Sequence, residues 1–139
     1  MSASASFVKS LLAQCCLGGI CEWVVCPGAR NMALLQVLAA AEDLVKWTHF
    51  DERSAAFFAL GRIQDMGLPV AVVTTSGTAA AELLPAVVEA YYQRRPLLLL
   101  TADRPADYRG SAAPQAIEQA DLFGIYAPTI DLETPDSLP

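Results

Sequence analysis

Three things are scarce in this sequence, and each scarcity excludes a class of protein. No apolar run approaches the roughly 18 uninterrupted residues of a membrane-spanning helix, since the best candidate is the four leucines at 97–100. Basic residues are few: the sequence has nine Lys and Arg and fifteen Asp and Glu, which gives a formal net charge of −6. Nucleic-acid modules need a basic stripe, so this balance argues against one. Histidine occurs once, as His49, which leaves too few ligands for an ordinary zinc site.

The cysteines are few and confined to the N-terminal part of the chain. Their spacing lacks the paired CxxC pattern of a metal site, and a chain with 54% hydrophobic residues does not need disulfides. We therefore expect buried or half-buried thiols at Cys15, Cys16, Cys21 and Cys26. Gln14 and Glu22 interrupt the nearby apolar stretch, so we interpret residues 6–18 as an amphipathic helix rather than a signal peptide. The expected location is the cytoplasm.

Two kinds of apolar segment alternate along the chain. Short aliphatic or β-branched runs predict buried strands at residues 23–26, 47–50, 70–74 and 97–101. Longer Ala- and Leu-rich segments predict helices at residues 31–42, 54–66 and 78–93, with Ser54 capping the second of them. This order predicts an α/β fold, a three-layer doubly wound parallel sheet with helices on both faces.

The composition changes near the C-terminus. Residues 128–132 form a weak apolar run that resembles a fifth strand, and residues 131–139 read like a linker, with two prolines and three acidic side chains. We assign residues 1–127 to one domain and residues 128–139 to a last strand or a linker towards a further domain. This composition favours a piece of a longer protein over a natural disordered tail.

A polar loop follows each of the four predicted strands. Ligands of open parallel sheets bind outside the carboxyl ends of the strands, so these loops predict a site along one edge. They comprise residues 27–30, 51–53, 75–78 and 102–105. Arg30 and Arg104 are suited to clamping carboxylates, although a single arginine at an edge is usually only solvated.

Glu52 is the sharpest candidate for chemistry in these loops. A carboxylate at the end of a buried strand is partly desolvated, which favours its protonated form and permits proton exchange near neutral pH. The structural alternative is that Glu52 pairs with Arg53 or stabilises the start of the following helix. The loop at 75–78 has the polar residues to hold an anion at a helix N-terminus, but no phosphate-binding glycine motif.

The loops together resemble a single family. The residues that carry the resemblance are Cys26-Pro27-Gly28-Ala29-Arg30, His49-Phe50-Asp51-Glu52-Arg53-Ser54-Ala55, Thr75-Ser76-Gly77-Thr78-Ala79, Leu100-Thr101-Ala102-Asp103-Arg104-Pro105 and Gln115-Ala116-Ile117. In this order they are similar to the N-terminal, pyrimidine-binding domain of the 2-succinyl-5-enolpyruvyl-6-hydroxy-3-cyclohexene-1-carboxylate synthases. These are thiamine-diphosphate-dependent transferases of menaquinone biosynthesis. The match runs from Phe7 to Phe123.

The resemblance implies a role for each matching residue. Glu52 would hydrogen-bond the pyrimidine nitrogen of thiamine diphosphate and favour the imino tautomer, whose nitrogen removes the thiazolium C2 proton. The implied reaction decarboxylates 2-oxoglutarate and adds the succinyl-semialdehyde carbanion to isochorismate. The implied cofactor neighbours are Thr75, Ser76 and Gly77. The implied substrate-binding residues are Arg30, Arg104 and Gln115.

The sequence departs from the family at Ala29, where serine is usual, and at Pro114, where asparagine is usual. It also contains no Gly-Asp-Gly motif, through which the family holds Mg²⁺ or Mn²⁺ and the diphosphate. The resemblance therefore implies a diphosphate-binding domain from a second subunit, in a homodimer or homotetramer, and an inactive 139-residue chain by itself. Two alternatives stay open: a subunit of another thiamine-diphosphate decarboxylase or carboligase, or a non-catalytic binding domain of the same fold.

Overall fold

A computed structural model describes residues 3–132, with side chains from Ala5 onward. The strands of its single sheet are β1 (Glu22–Val25), β2 (Val45–Thr48), β3 (Val70–Thr74) and β4 (Leu97–Thr101). The helices are α1 (Ala3–Leu17), α2 (Met32–Ala40), α3 (Glu52–Met66), α4 (Thr78–Ala81) and α5 (Leu84–Gln93). Two short 3-10 turns follow, at Ala106–Tyr108 and Gly124–Tyr126.

The strands lie side by side in the order β2-β1-β3-β4, and every pair is parallel. From β1 the chain moves outward to β2, then returns past β1 to form β3 on its other side. The connections therefore leave β1 and β3 in opposite directions, which makes the carboxyl ends of these two strands the switch point of the sheet. Ligands of open α/β sheets bind at such a point.

Helices cover both faces of the sheet, as the sequence predicts. Because successive side chains of a strand point to opposite faces, Val24 and Cys26 pack with α3 and α5, whereas Trp23 and Val25 pack with α1 and α2. The two central strands are buried along their whole length. The predicted three-layer α/β architecture is confirmed.

Several predicted boundaries are wrong for identifiable reasons. The segment 78–93 forms two helices because Pro85, in the first turn of α5, lacks an N–H and cannot continue α4. Ser54 does not cap α3; Asp51 does, and its carboxylate accepts a 2.6 Å hydrogen bond from the Ser54 N–H. Strand β2 begins two residues before the predicted 47–50, because it pairs with β1 from Val45 onward.

The C-terminal strand prediction is also wrong over the part that is described. Residues 128–132 adopt no regular structure, and Pro128, at the start of the run, has no N–H to donate to a sheet. Ile130 is 67% exposed. Residues 133–139 lie outside the described residues, so the linker interpretation stays a prediction.

The thiols mostly follow expectation. Cys26 is buried and Cys15 and Cys16 are half-buried, but Cys21 is exposed because it lies just before β1, outside the helical layers. Between residues 3 and 132, no helix is long and apolar enough to cross a membrane.

Candidate functional site

The four polar loops begin side by side at the carboxyl edge of the sheet. Backbone hydrogen bonds continue past the strand ends: the His49 N–H donates to Val25 at 2.9 Å, the Cys26 N–H to Val73 at 2.9 Å, and the Ala102 N–H to Thr74 at 3.0 Å. The loops therefore follow the strand order across the edge, with those of β1 and β3 at its centre.

A buried asparagine shapes the loop after β1. The Asn31 side chain accepts a 2.9 Å hydrogen bond from the Gly28 N–H and donates one of 2.9 Å to the Cys26 carbonyl. This compact turn presses Gly28 against the next loop, where an added Cβ would lie 2.6 Å from Thr75 Cβ. Asn31 is not among the predicted site residues, although its place just before a helix and three residues after a glycine is a sequence signal from which such a turn could have been predicted.

Arg30 lies on the same loop and is exposed. Within residues 3–132, no hydrogen bond or ion pair joins its guanidinium to another side chain or carbonyl. Its donors are therefore available to a ligand that approaches the edge.

Glu52 is the first residue of α3 and is half-buried. The neighbouring Asp51 supplies the helix cap, so the cap that the structural alternative assigned to Glu52 is already provided. In the described part of the chain, Glu52 makes no hydrogen bond or ion pair, including none with Arg53. Burial, together with the nearby Glu52 and Asp51 carboxylates, raises the pKa of the Cys26 thiol to about 12. Glu52 therefore lies close to the end of β1, beside the switch point.

The loop after β3 is covered by a later part of the chain. The Ser76 hydroxyl donates a 3.0 Å hydrogen bond to the Gln115 carbonyl, and the Gly77 N–H donates one of 2.9 Å to Gln119 Oε1. Gly77 has φ +75° and ψ −131°, and an added Cβ would lie 2.7 Å from Gln115 Cα. The idea of an open anion site at this helix N-terminus is therefore wrong, because the chain itself occupies it and α4 has only four residues.

The loop after β4 reaches the same covering segment. Arg104 Nη2 donates a 2.8 Å hydrogen bond to the Pro114 carbonyl, and its guanidinium lies 5.7 Å from the centre of the Tyr108 ring. The proline at 114 removes an amide side chain, but its carbonyl still holds the arginine. Gln115 follows with φ +57° and an exposed side chain.

The structure thus brings most of the predicted site residues to one edge. Gln115 contacts Ser76 and Gly77, next to Thr75, and Arg104 joins this group through the Pro114 carbonyl. Gly28 links the β1 loop, and with it Arg30, to Thr75. Glu52 reaches the edge from β2's side. Its unpartnered, half-buried carboxylate fits a heteroaromatic ring nitrogen, because a carboxylate can hold a hydrogen bond there in either protonation state.

Comparisons with known proteins identify the family and the fold of this chain. Residues 7–122 match the family described as thiamine pyrophosphate enzyme, N-terminal TPP binding domain. The chain is 95% identical over 139 residues to a 2-succinyl-5-enolpyruvyl-6-hydroxy-3-cyclohexene-1-carboxylate synthase of Akkermansia muciniphila, covering 100% of this chain and 26% of that protein. It is 51% identical over 120 residues to the synthase of Bdellovibrio bacteriovorus, covering 86% of this chain and 23% of that protein.

The chain therefore spans about a quarter of the length of the curated relatives it matches. Among solved structures, a thiamine diphosphate-dependent 4-hydroxybenzoylformate decarboxylase of Rhodococcus jostii RHA1 superposes with a TM-score of 0.74 at 14% identity. That match covers 90% of this chain and 23% of the decarboxylase chain. At this identity the likeness concerns the fold.

Proposed function

The chain belongs to the thiamine pyrophosphate enzyme family, whose N-terminal TPP-binding domain it contains, and we propose that it forms the pyrimidine-binding part of a 2-succinyl-5-enolpyruvyl-6-hydroxy-3-cyclohexene-1-carboxylate synthase. The proposed reaction, a step of menaquinone biosynthesis, decarboxylates 2-oxoglutarate and adds the four-carbon unit to isochorismate. The observation that carries the proposal is 95% identity to such a synthase over all 139 residues. The fold and the grouped edge residues support it.

Glu52 has the chemical position that this role requires. Its carboxylate is half-buried beside the switch point and is not engaged by the described residues. We assign it a hydrogen bond to the pyrimidine ring nitrogen, through which it controls the protonation of that ring. Thiamine diphosphate, when bound, supplies the electron sink for decarboxylation. Thr75, Ser76 and Gly77, in the buried loop after β3, are the residues that we propose to lie beside the cofactor.

The substrate side of the proposal depends on Arg30, Arg104 and Gln115. Both substrates are carboxylates, and guanidinium groups bind carboxylates through paired hydrogen bonds. Arg30 has all its donors available, whereas Arg104 is oriented by Pro114 and Tyr108. We therefore expect Arg104 to be the better positioned of the two and Arg30 the more adaptable.

The remaining parts of the site would come from outside these 139 residues. We propose that a diphosphate-binding domain of a second subunit, in a homodimer or homotetramer, supplies Mg²⁺ or Mn²⁺ and the diphosphate contacts. An apolar surface beside Glu52 supports a partner there, since Phe50 is 98% exposed and Phe57 45% exposed. By itself the chain is expected to be inactive. The cytoplasmic location stays a prediction, which cell fractionation would test.

A chimera tests the proposal. This chain replaces the matching residues of the A. muciniphila synthase, and 2-oxoglutarate decarboxylation is measured with and without isochorismate. We expect activity, and a loss on the order of 10²-fold or more in Glu52→Gln, because a proton-controlling group is removed. Glu42→Gln, at an exposed turn residue, is the matched control. Turnover of a different 2-oxo acid would favour another decarboxylase, and cofactor binding without turnover would favour a non-catalytic domain.

A further inference from the structure

Gln119 is a buried side chain, 7% exposed, in a segment without regular structure. Its amide makes three hydrogen bonds, which use both N–H donors and the carbonyl oxygen. Oε1 accepts from the Gly77 N–H at 2.9 Å, and Nε2 donates to Thr101 Oγ1 at 3.1 Å and to the Ala102 carbonyl at 2.9 Å. One side chain therefore joins the loop after β3 to the end of β4.

The segment that carries Gln119 does not have a backbone shape that its residues prefer. Ala112, Gln115 and Asp121 all have left-handed φ values, of 58°, 57° and 61°. Residues other than glycine adopt this region at a cost and persist there only where the surroundings hold them. The attachments that hold this segment across the edge are thus part of what defines its shape.

The position of Gln115 depends on these attachments. Its Cα and carbonyl lie directly over Gly77, and its carbonyl accepts from the Ser76 hydroxyl. The preceding Pro114 carbonyl orients Arg104. Gln119 anchors the same segment to Gly77 from the other end, so its loss would release both substrate-side residues together.

We propose that Gln119 is a positioning residue, which holds residues 112–119 against the loop after β3 and so sets the places of Gln115 and Arg104. The inference rests on the proposed function of this edge. It predicts that Gln119 acts on substrate binding, because the residues that it positions are those assigned to the substrates. The chemical role of Glu52, on the far side of β1, is left intact.

The test compares two variants in the chimera described above. Gln119→Leu removes all three hydrogen bonds, whereas Gln119→Glu keeps an acceptor for the Gly77 N–H but places an acceptor oxygen opposite the Ala102 carbonyl. We expect KM for 2-oxoglutarate to rise about tenfold in both variants, with kcat within about threefold of the parent. Hydrogen exchange at the Gly77 amide should accelerate in both variants. Gln64→Leu, at an exposed position of α3, is the matched control.

The outcomes separate this inference from the proposed function. An inactive parent chimera would refute the proposed function, while Gly77 exchange in the same protein would still report whether Gln119 anchors the segment. Unchanged Gly77 exchange in both variants overturns the inference. Faster exchange with an unchanged KM also overturns it, since Gln119 would then only stabilise the fold. Should Gln119→Leu fail to fold, Gln119→Glu gives the same two readouts.

Discussion

A glutamate lies at each end of the parallel strands, one buried and one half-buried, and the two differ in whether their carboxylates have hydrogen-bonding partners. Glu22 begins β1 at the amino edge, and Glu52 begins α3 at the carboxyl edge. Every oxygen of Glu22 is engaged by another residue, whereas in the described part of the chain neither oxygen of Glu52 is. A carboxylate that is fully paired holds elements together, and one that is left unpaired is available for chemistry.

The amino edge shows how complete the pairing is. Arg62 on α3 donates to Glu22 through Nη2 at 2.7 Å and Nε at 2.9 Å, and the indole of Trp47 on β2 donates at 3.1 Å. The guanidinium also lies 5.7 Å from the centre of the Trp47 ring. These contacts join β1, β2 and α3, and the hydrogen bonds from Arg62 lower the pKa of Glu22.

The largest expected effect is the loss of activity, on the order of 10²-fold or more, in Glu52→Gln. Unlike a variant of the paired Glu22, this variant should be nearly as stable as the parent, within about 1 kcal/mol, because the substitution removes only a helix-terminal charge. Urea denaturation of the chimera, followed by tryptophan fluorescence, measures the stability. A large loss of stability would mean that Glu52, like Glu22, is a structural residue.

Gly77→Ala should cause the largest loss of stability, about 3 kcal/mol, because the new Cβ meets the Gln115 backbone and the φ value disfavours any side chain. Gly67, the C-cap of α3, has φ +69° but open space around it. Its replacement by alanine should cost about 1 kcal/mol, from the backbone alone. Equal losses in the two variants would show that residues 115–119 move aside without cost.

Glu22→Gln is expected to destabilise the chain by about 2 kcal/mol, because the negative charge is lost and one acceptor oxygen becomes an NH2 that faces the donors of Arg62 or Trp47. Arg62 keeps 28% of its side chain exposed, so water replaces part of what it loses. In the chimera, kcat should change less than about twofold, since this edge lies opposite to the proposed site. A fall in kcat of more than about twofold would contradict the assignment of a purely structural role to Glu22.

The smallest expected effect is a pH dependence of the Glu22 contribution. The folded-state pKa of Glu22 lies below its usual value of roughly 4.3, so the stability it adds is fully present above about pH 5. That stability is lost as the pH falls through the folded-state pKa. The difference in unfolding free energy between the parent and Glu22→Gln should therefore shrink below about pH 4.5. A difference that is constant from pH 7 to pH 3 would contradict this assignment.

Local patterns predicted the framework well and the boundaries less well. The runs at 70–74 and 97–101 predict β3 and β4 as they are, because their aliphatic side chains are continuous and turn residues bound them. The prediction of a strand at 47–50 was displaced by two residues because β2 is an edge strand with exposed positions. Its ends are set by pairing with β1 and not by a run of apolar residues. The break in the predicted helix at 78–93 could have been predicted from Pro85, which lies in the first turn of α5.

The candidate site was predictable only in part. Glu52, Arg104 and Gln115 came from motifs, but Asn31 and Gln119 are buried amides whose roles depend on distant or irregular backbone. Gln119 meets Gly77 across 42 residues of sequence, and no periodicity marks such a contact. The same motifs suggested an anion site at 75–78, which the segment carrying Gln115 and Gln119 covers.

The amino-acid order alone determined the alternation of strands and helices, the apolar faces and the four polar loops, because these follow from preferences that act within a few residues. Which glutamate is paired and which has no partner among the described residues was decided by the tertiary structure. Glu22 and Arg62 are 40 positions apart and meet only because α3 lies back across β1. The chemistry of a side chain depends on its neighbours, and the tertiary path of the chain determines which residues those are.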